Sequence, residues 1–198
     1  MIRRTFSYLV AFLIVALVVA IRYYPEIKRY FPRSSLRTAL PVPVATPGSI
    51  PVEGPYFSDR DRVAERIIAA INHTQKSLDL AIYDLTHPDI TAALVDAHRR
   101  GVTVRIVADE RQSHEPHSEI PFLRSQGFPL RLSRGYRGDR SIMHNKFAVF
   151  DGRLAETGSF NWTTSADGYN YENAIFFADP KVVARYEEEF QRIWAQAQ

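Results

Sequence analysis

The chain has 198 residues, 45% of them hydrophobic and 12% aromatic, enough for one packed domain plus an appendage. It has no cysteine, which excludes disulfides, a thiolate metal site and a cysteine nucleophile. Its net charge of +3 is uneven: residues 1–55 hold seven Lys/Arg and two Asp/Glu, a net of +5, whereas residues 56–198 hold eighteen and twenty, a net of −2, so any binding to a polyanion rests on local patches and not on the overall pI.

In chain order, Arg3 and Arg4 precede an uncharged apolar run from Thr5 to Ile21, at the short end of what crosses a bilayer. Residues 1–24 read as a transmembrane anchor, or as a signal segment cut after the small residues Val18-Val19-Ala20. Arg22, Lys28, Arg29, Arg33 and Arg37 outnumber Arg3 and Arg4, so a retained single-pass anchor keeps the main domain on the cytoplasmic side. Cleavage would instead export the domain, for example to a periplasm. The expectation is membrane association with the side open. The same basic cluster suits anionic lipid headgroups. Residues 25–55 carry Pro32, Pro41, Pro43, Pro47, Pro51 and Pro55 and read as an extended basic linker. The folded domain is expected over residues 56–198.

Within that domain, residues 59–74 show helical apolar spacing at Val63, Ile67, Ile68 and Ile71. Residues 77–84 alternate as a strand. Pro88 opens a helix that runs to a stop at Gly101, and residues 102–109 form the next strand. A short helix over 120–127 and a short strand over 128–132 follow. Residues 144–151 and 153–158 form a hairpin across Asp151-Gly152, residues 172–178 a further strand, and residues 180–196 an amphipathic final helix. Strands alternating with helices predict an α/β sandwich: a mixed β-sheet flanked by helices, preceded by the N-terminal hydrophobic helix.

The hairpin carries the chemistry. In a strand, side chains two apart share a face, so His144 and Lys146 are expected side by side. Two cationizable groups on one face are poor core material and good holders of phosphate. A partly neutral imidazole at His144 can attack phosphorus or move a proton, and Lys146 can neutralise charge developing on the nonbridging oxygens. Ser159 and Asn161 add hydrogen bonds from the next strand or turn. Asp151 has the opposite parity, which points it away from a bound phosphate and gives it a role at the turn.

His144, Lys146, Asp151, Gly158, Ser159 and Asn161 fit the pattern HxKxxxxDxxxxxxGSxN, which strongly resembles the phospholipase D superfamily. Residues 81–111, the NWTT of 161–164, the YENA of 171–174 and residues 188–194 extend the likeness, to small bacterial endonucleases and to the mitochondrial-surface single-motif member. The resemblance covers roughly residues 56–196 and implies a phospholipase D-like α-β-α sandwich. It implies a phosphodiesterase that works through a phosphohistidine at His144, needs no metal or other cofactor, and uses His144, Lys146, Asp151 and Glu172 as catalytic residues. Lys146, Ser159 and Asn161 would bind the phosphate. Glu172 matches the family's downstream acidic residue, and a carboxylate there is expected to orient an imidazole. His114 and His117 beside Asp109 and Glu110 give only a weak metal-ligand spacing.

The family mechanism uses two histidines, yet this chain has one HxK. The resemblance therefore implies a homodimer in which His144 of each copy meets at a two-fold axis. Arg124, Arg131, Arg134, Arg137, Arg140 and Lys146, with Tyr136 among them and Asp139 as the single acid, make residues 124–146 locally basic. That favours a nuclease of low sequence specificity on DNA or RNA. The alternative is a phospholipase D acting on phospholipids such as cardiolipin or phosphatidylcholine, which the N-terminal membrane segment favours.

Overall fold

The structure, a computed structural model, describes residues 52–198. The hydrophobic segment 1–24 and nearly all of the proline-rich stretch lie outside the described residues. Among the described residues, no helix is long and apolar enough to cross a membrane.

The elements follow in the order β1 (Val52–Phe57), α1 (Val63–His73), β2 (Ser77–Ile82), α2 (Pro88–Arg99), β3 (Thr103–Asp109), α3 (Glu110–Ser113), α4 (Ile120–Ser125), β4 (Leu130–Ser133), β5 (Lys146–Phe150), β6 (Leu154–Gly158), α5 (Thr164–Gly168), β7 (Asn173–Phe177) and α6 (Pro180–Gln196). The strands form one seven-stranded mixed sheet in the order β1-β7-β6-β5-β2-β3-β4. β2, β3 and β4 run parallel, and β5, β6, β7 and β1 are paired antiparallel. The α/β sandwich expected from the alternating pattern is what these residues build.

Residue parity sorts the core into two layers. Leu78, Leu80, Ile82, Val104, Ile106, Ala148 and Phe150 share one core with Ile67 and Ile71 of α1 and Ile90 and Leu94 of α2. Ala81, Val107, Phe147, Val149 and Ala155 share the other with Val183, Phe190 and Ile193 of α6. Central strands buried on both faces carry near-continuous apolar runs, as parallel sheets covered by helices do. The helix starts are written locally. The His87 ring accepts from the Asp89 and Ile90 amides at the head of α2, and Asp179 accepts from the Lys181 and Val182 amides ahead of Pro180 in α6.

Three features differ from the sequence reading. Strand β1 takes in Val52–Phe57, part of which reads as linker; it is an edge strand with an irregular register between Glu53 and Tyr56, where a proline is tolerated. The one-turn helices α3 and α5 carry too little periodicity to be seen. His144 lies ahead of β5, which begins at Lys146, so the HxK is a lead-in to a strand and not wholly within one. Trp162, Phe160 and Phe147 are buried in the core.

Candidate active site

One edge of the sheet collects the motif. The carboxyl ends of β2 and β3 meet the amino end of β5 there, because Ile82 pairs with both Ala108 and Lys146. The carboxyl end of β6 and the amino end of β7 join the same edge through Gly158 opposite Ala174. Loops at the carboxyl ends of parallel strands are the usual binding edge of an α/β sheet. Gly158 is required here by close approach: a Cβ would sit 2.0 Å from the Asn173 carbonyl oxygen.

His144 is exposed and Lys146 is buried, 8% exposed. Lys146 Nζ donates to the His144 carbonyl oxygen at 3.0 Å. Burial pushes the His144 imidazole below its ordinary value and the Lys146 charge adds to this, with Asp109 opposing. The ring is therefore held toward its neutral, nucleophilic form. Burial also lowers Lys146, while Glu172 and Asp84 pull it back up. Asp84 is raised by burial and by Glu115, against the Leu85 amide and Lys146.

Ser159 Oγ donates to Glu172 Oε2 at 2.5 Å and accepts from the Asn173 amide at 3.1 Å. Asn170 Nδ2 donates to the other Glu172 oxygen at 3.3 Å. Among the described residues no hydrogen bond joins Glu172 to His144 of the same chain; the carboxylate is occupied by Ser159 and acts on Lys146 through its charge. Asn161 is half-buried, and its Oδ1 has no hydrogen-bond partner among the described residues. The structure thus gathers His144, Lys146, Ser159 and Glu172 at one edge, with Asn161 two residues beyond Ser159.

Asp151 is elsewhere. It sits at the far end of β5, at φ 52°, and accepts from the amides of Gln75, Lys76 and Ser77 at distances from 2.6 to 3.2 Å. Burial works to raise its carboxyl, but the three backbone donors outweigh it and hold the group below the usual range. It belongs to the turn and is separated from the reaction edge by the length of the strand.

The site also contains residues that the motif did not name. The Tyr83 ring packs edge-on against His144 with centroids 4.6 Å apart, and Lys146 Nζ lies 5.0 Å from its centre. Gln112 Nε2 donates to the Tyr83 hydroxyl at 3.0 Å. Asp109 ties this together: Oδ1 accepts from the Arg111 and Gln112 amides, and Oδ2 accepts from the Met143 amide at 2.9 Å, next to His144. Asp109 is a strand end and a helix cap in sequence, and nothing local foretells its link to residue 143. The residues of the weak metal-ligand spacing have contacts of their own: Asp109 accepts from three amides, Glu110 pairs with Arg134, and the His114 ring meets the Glu110 carbonyl.

The arginine-rich loop is partly consumed by the fold. Arg131 donates to the Trp194 carbonyl at 2.7 Å and lies over its ring, and Arg134 binds Glu110. Arg124, Arg137 and Arg140 remain exposed.

A buried lysine, a histidine held below its ordinary value beside it and a GSxN turn at one sheet edge match a family. The family model described as cardiolipin synthase, PLD-like domain, covers residues 67–194. The chain belongs to the phospholipase D superfamily. Mitochondrial cardiolipin hydrolase of Xenopus laevis is 36% identical over 170 residues, covering 82% of this chain and 78% of the relative. The protein of that name from Chlamydomonas reinhardtii is 32% identical over 148 residues, covering 75% of this chain and 65% of the relative, so the match spans just under two thirds of that protein. Among solved structures, Nuc from Salmonella typhimurium, described as a phospholipase D family member, superposes with a TM-score of 0.66 at 34% identity, covering 74% of this chain and 95% of Nuc. This phospholipase D-like chain is accordingly a phosphodiesterase, a hydrolase of phosphoric diesters.

Proposed function

We propose that the chain is a nuclease of low sequence specificity, cleaving DNA or RNA phosphodiesters without a metal, in a homodimer whose composite site joins His144 of both copies. The observation that carries the reading is the edge described above: a neutral-leaning His144 beside a buried Lys146, with Ser159 and its Glu172 partner at the same sheet edge. One imidazole nitrogen of His144 attacks phosphorus and the bond to the leaving oxygen breaks. That oxygen takes its proton from the imidazolium of the second copy. Water then attacks the phosphohistidine, gives its proton to the now neutral second imidazole, and the phosphorus–nitrogen bond breaks. Two identical imidazoles at one site titrate apart, because charge on one disfavours charge on the other; this gives each a different role. Lys146 and Asn161 stabilise the developing charge on the nonbridging oxygens.

Nucleic acid is favoured by the exposed Tyr136, Tyr169 and Tyr171 and the outward Arg124, Arg137 and Arg140, and by the likeness to small bacterial endonucleases. A second reading, hydrolysis of a phospholipid such as cardiolipin at a membrane reached through residues 1–24, is favoured by the name of the relatives, mitochondrial cardiolipin hydrolase.

The test is cleavage by the full chain, in detergent and chelator, of single-stranded DNA, duplex DNA, RNA and cardiolipin vesicles, with His144→Ala beside it. The expected result is cleaved nucleic acid, and a loss of at least about 10³-fold in the variant. Release of phosphatidic acid with intact nucleic acid would replace the first reading by the second. Inactivity in chelator, restored by a divalent cation, would sink the metal-free mechanism.

A further inference from the structure

A cleft of about 510 Å³ opens beside His144, a size that takes a nucleotide-sized group. One wall is the loop that leads into His144. The other is the end of α6, with Glu189, Arg192 and Gln196. Two features of these walls match the two halves of a nucleotide.

The first is Tyr136, which lines the cleft yet is 76% exposed. Its loop is built to hold it there. Gly135 adopts φ +83°, and a Cβ at that position would meet the Ile142 carbonyl oxygen at 2.6 Å, so the two sides of the loop are pinched together. Ser141 Oγ accepts from the Arg137 amide at 3.0 Å and lies 3.0 Å from the Arg134 and Gly138 carbonyl oxygens, closing the tip. Arg137 sits 5.3 Å from the Tyr136 ring centre. An exposed ring on a tied loop is a ready stacking surface for a base.

The second is Arg192. Its Nε and Nη2 donate to the two Glu189 oxygens at 2.8 and 2.5 Å, so the guanidinium already shows the two-pronged geometry that a phosphate accepts. An exposed pair three residues apart on a helix contributes little, so a phosphate can replace Glu189 at small cost. A charged pair and an amide in the wall suit an acyl chain badly.

We propose that this cleft is a subsite for the nucleotide next to the scissile phosphate, with Tyr136 stacking on its base and Arg192, released from Glu189, binding its outer phosphate. The proposal rests on the nuclease reading and extends it to residues outside the HxK and GSxN motifs. Glu189 acts as an internal competitor that the substrate must displace.

The experiment compares a labelled oligonucleotide with bis(p-nitrophenyl) phosphate, a diester with neither nucleobase nor second phosphate, using the full chain in detergent. Arg192→Gln is expected to raise the oligonucleotide KM about tenfold with kcat nearly held, and to shift the aryl diester far less. Tyr136→Ala is expected to raise KM similarly. Glu189→Gln is expected to lower it, by removing the competitor. Arg185→Gln is the charge control: Arg185 lies on the same helix, pairs with Glu188 in the same spacing, and is outside the cleft lining; its oligonucleotide KM should match wild type. An unchanged KM in Arg192→Gln, an equal rise in Arg185→Gln, or an equal loss on both substrates overturns the subsite while leaving the nuclease reading standing. Aryl diester cleavage without any oligonucleotide cleavage by the wild type overturns both.

Discussion

His144 contributes little to the fold: it is exposed, precedes its strand, and its ring touches Tyr83. Its replacement by alanine should therefore leave the unfolding midpoint within about 0.5 kcal/mol of wild type while activity disappears. Tyr83 is the residue that links the two candidate groups, since one ring meets both the imidazole and the ammonium. Tyr83→Leu is expected to cost about tenfold in kcat with a smaller change in KM, and Tyr83→Phe, which keeps the ring and loses the Gln112 bond, about threefold or less. With the ring gone, His144 is less desolvated, so its titration by NMR should move back up toward 6.5. Wild-type kcat and an unmoved titration in Tyr83→Leu would make the ring a bystander.

At the scale of elements, the β5–β6 hairpin separates chemistry from anchorage. Its amino end delivers Lys146 to the site, and its far end is fixed by Asp151 to the start of β2. Asp151→Ala removes the acceptor for three amides and should cost about 2–3 kcal/mol of stability with kcat of the folded protein retained. Asn, which tolerates positive φ, should cost less. Because the folded carboxyl is held below its ordinary 3.8, its contribution is present above that value and is lost as pH falls through the depressed one. Loss of kcat with an unchanged melting temperature in Asp151→Ala would return Asp151 to the reaction. The opposite edge is also closed: Leu132 of β4 exchanges both backbone hydrogen bonds with the terminal Gln198, covering that edge strand.

At the scale of the whole molecule, Glu156 sets a pH limit. It faces the α1–α2 core from the middle of β6, fully buried, with neither carboxyl oxygen hydrogen-bonded; burial drives it up to about 8, against a pull from the Trp162 indole. Below the ordinary value of 4.5 both folded and unfolded chains carry the proton. Between 4.5 and about 8 only the unfolded chain is charged, so stability falls as pH rises through that window, by roughly 5 kcal/mol in all, and levels off above it. Glu156→Gln should flatten this fall, measured as melting temperature against pH. A wild-type profile that is flat across the window, or identical to the variant's, would remove Glu156 from the account. Assembly is tested at the same scale. Exchanging wild-type subunits with excess His144→Ala should drive activity per wild-type subunit toward zero if the site is composite, and leave it unchanged if each chain works alone.

The sequence by itself determined the longer elements and the motif. Periodicity in residues 63–73 and 180–196, the alternation of 77–82, and the turn at Asp151-Gly152 are local, and short-range sterics and burial decide them. The spacing of His144, Lys146, Ser159 and Asn161 was legible as the pattern that resembles a known family, although His144 precedes β5 and Ser159 and Asn161 follow β6. What only the tertiary structure decided is long-range. Tyr83 meets His144 because β2 pairs with β5; Asp109 holds the Met143 amide because β3 ends at the same edge. Glu172 turns to Ser159 because β6 and β7 are neighbours. Arg131 and Arg134 leave the basic rim because Trp194 and Glu110 reach them first. Each of these contacts joins residues far apart in the chain, and only packing the sheet brings them within bonding distance.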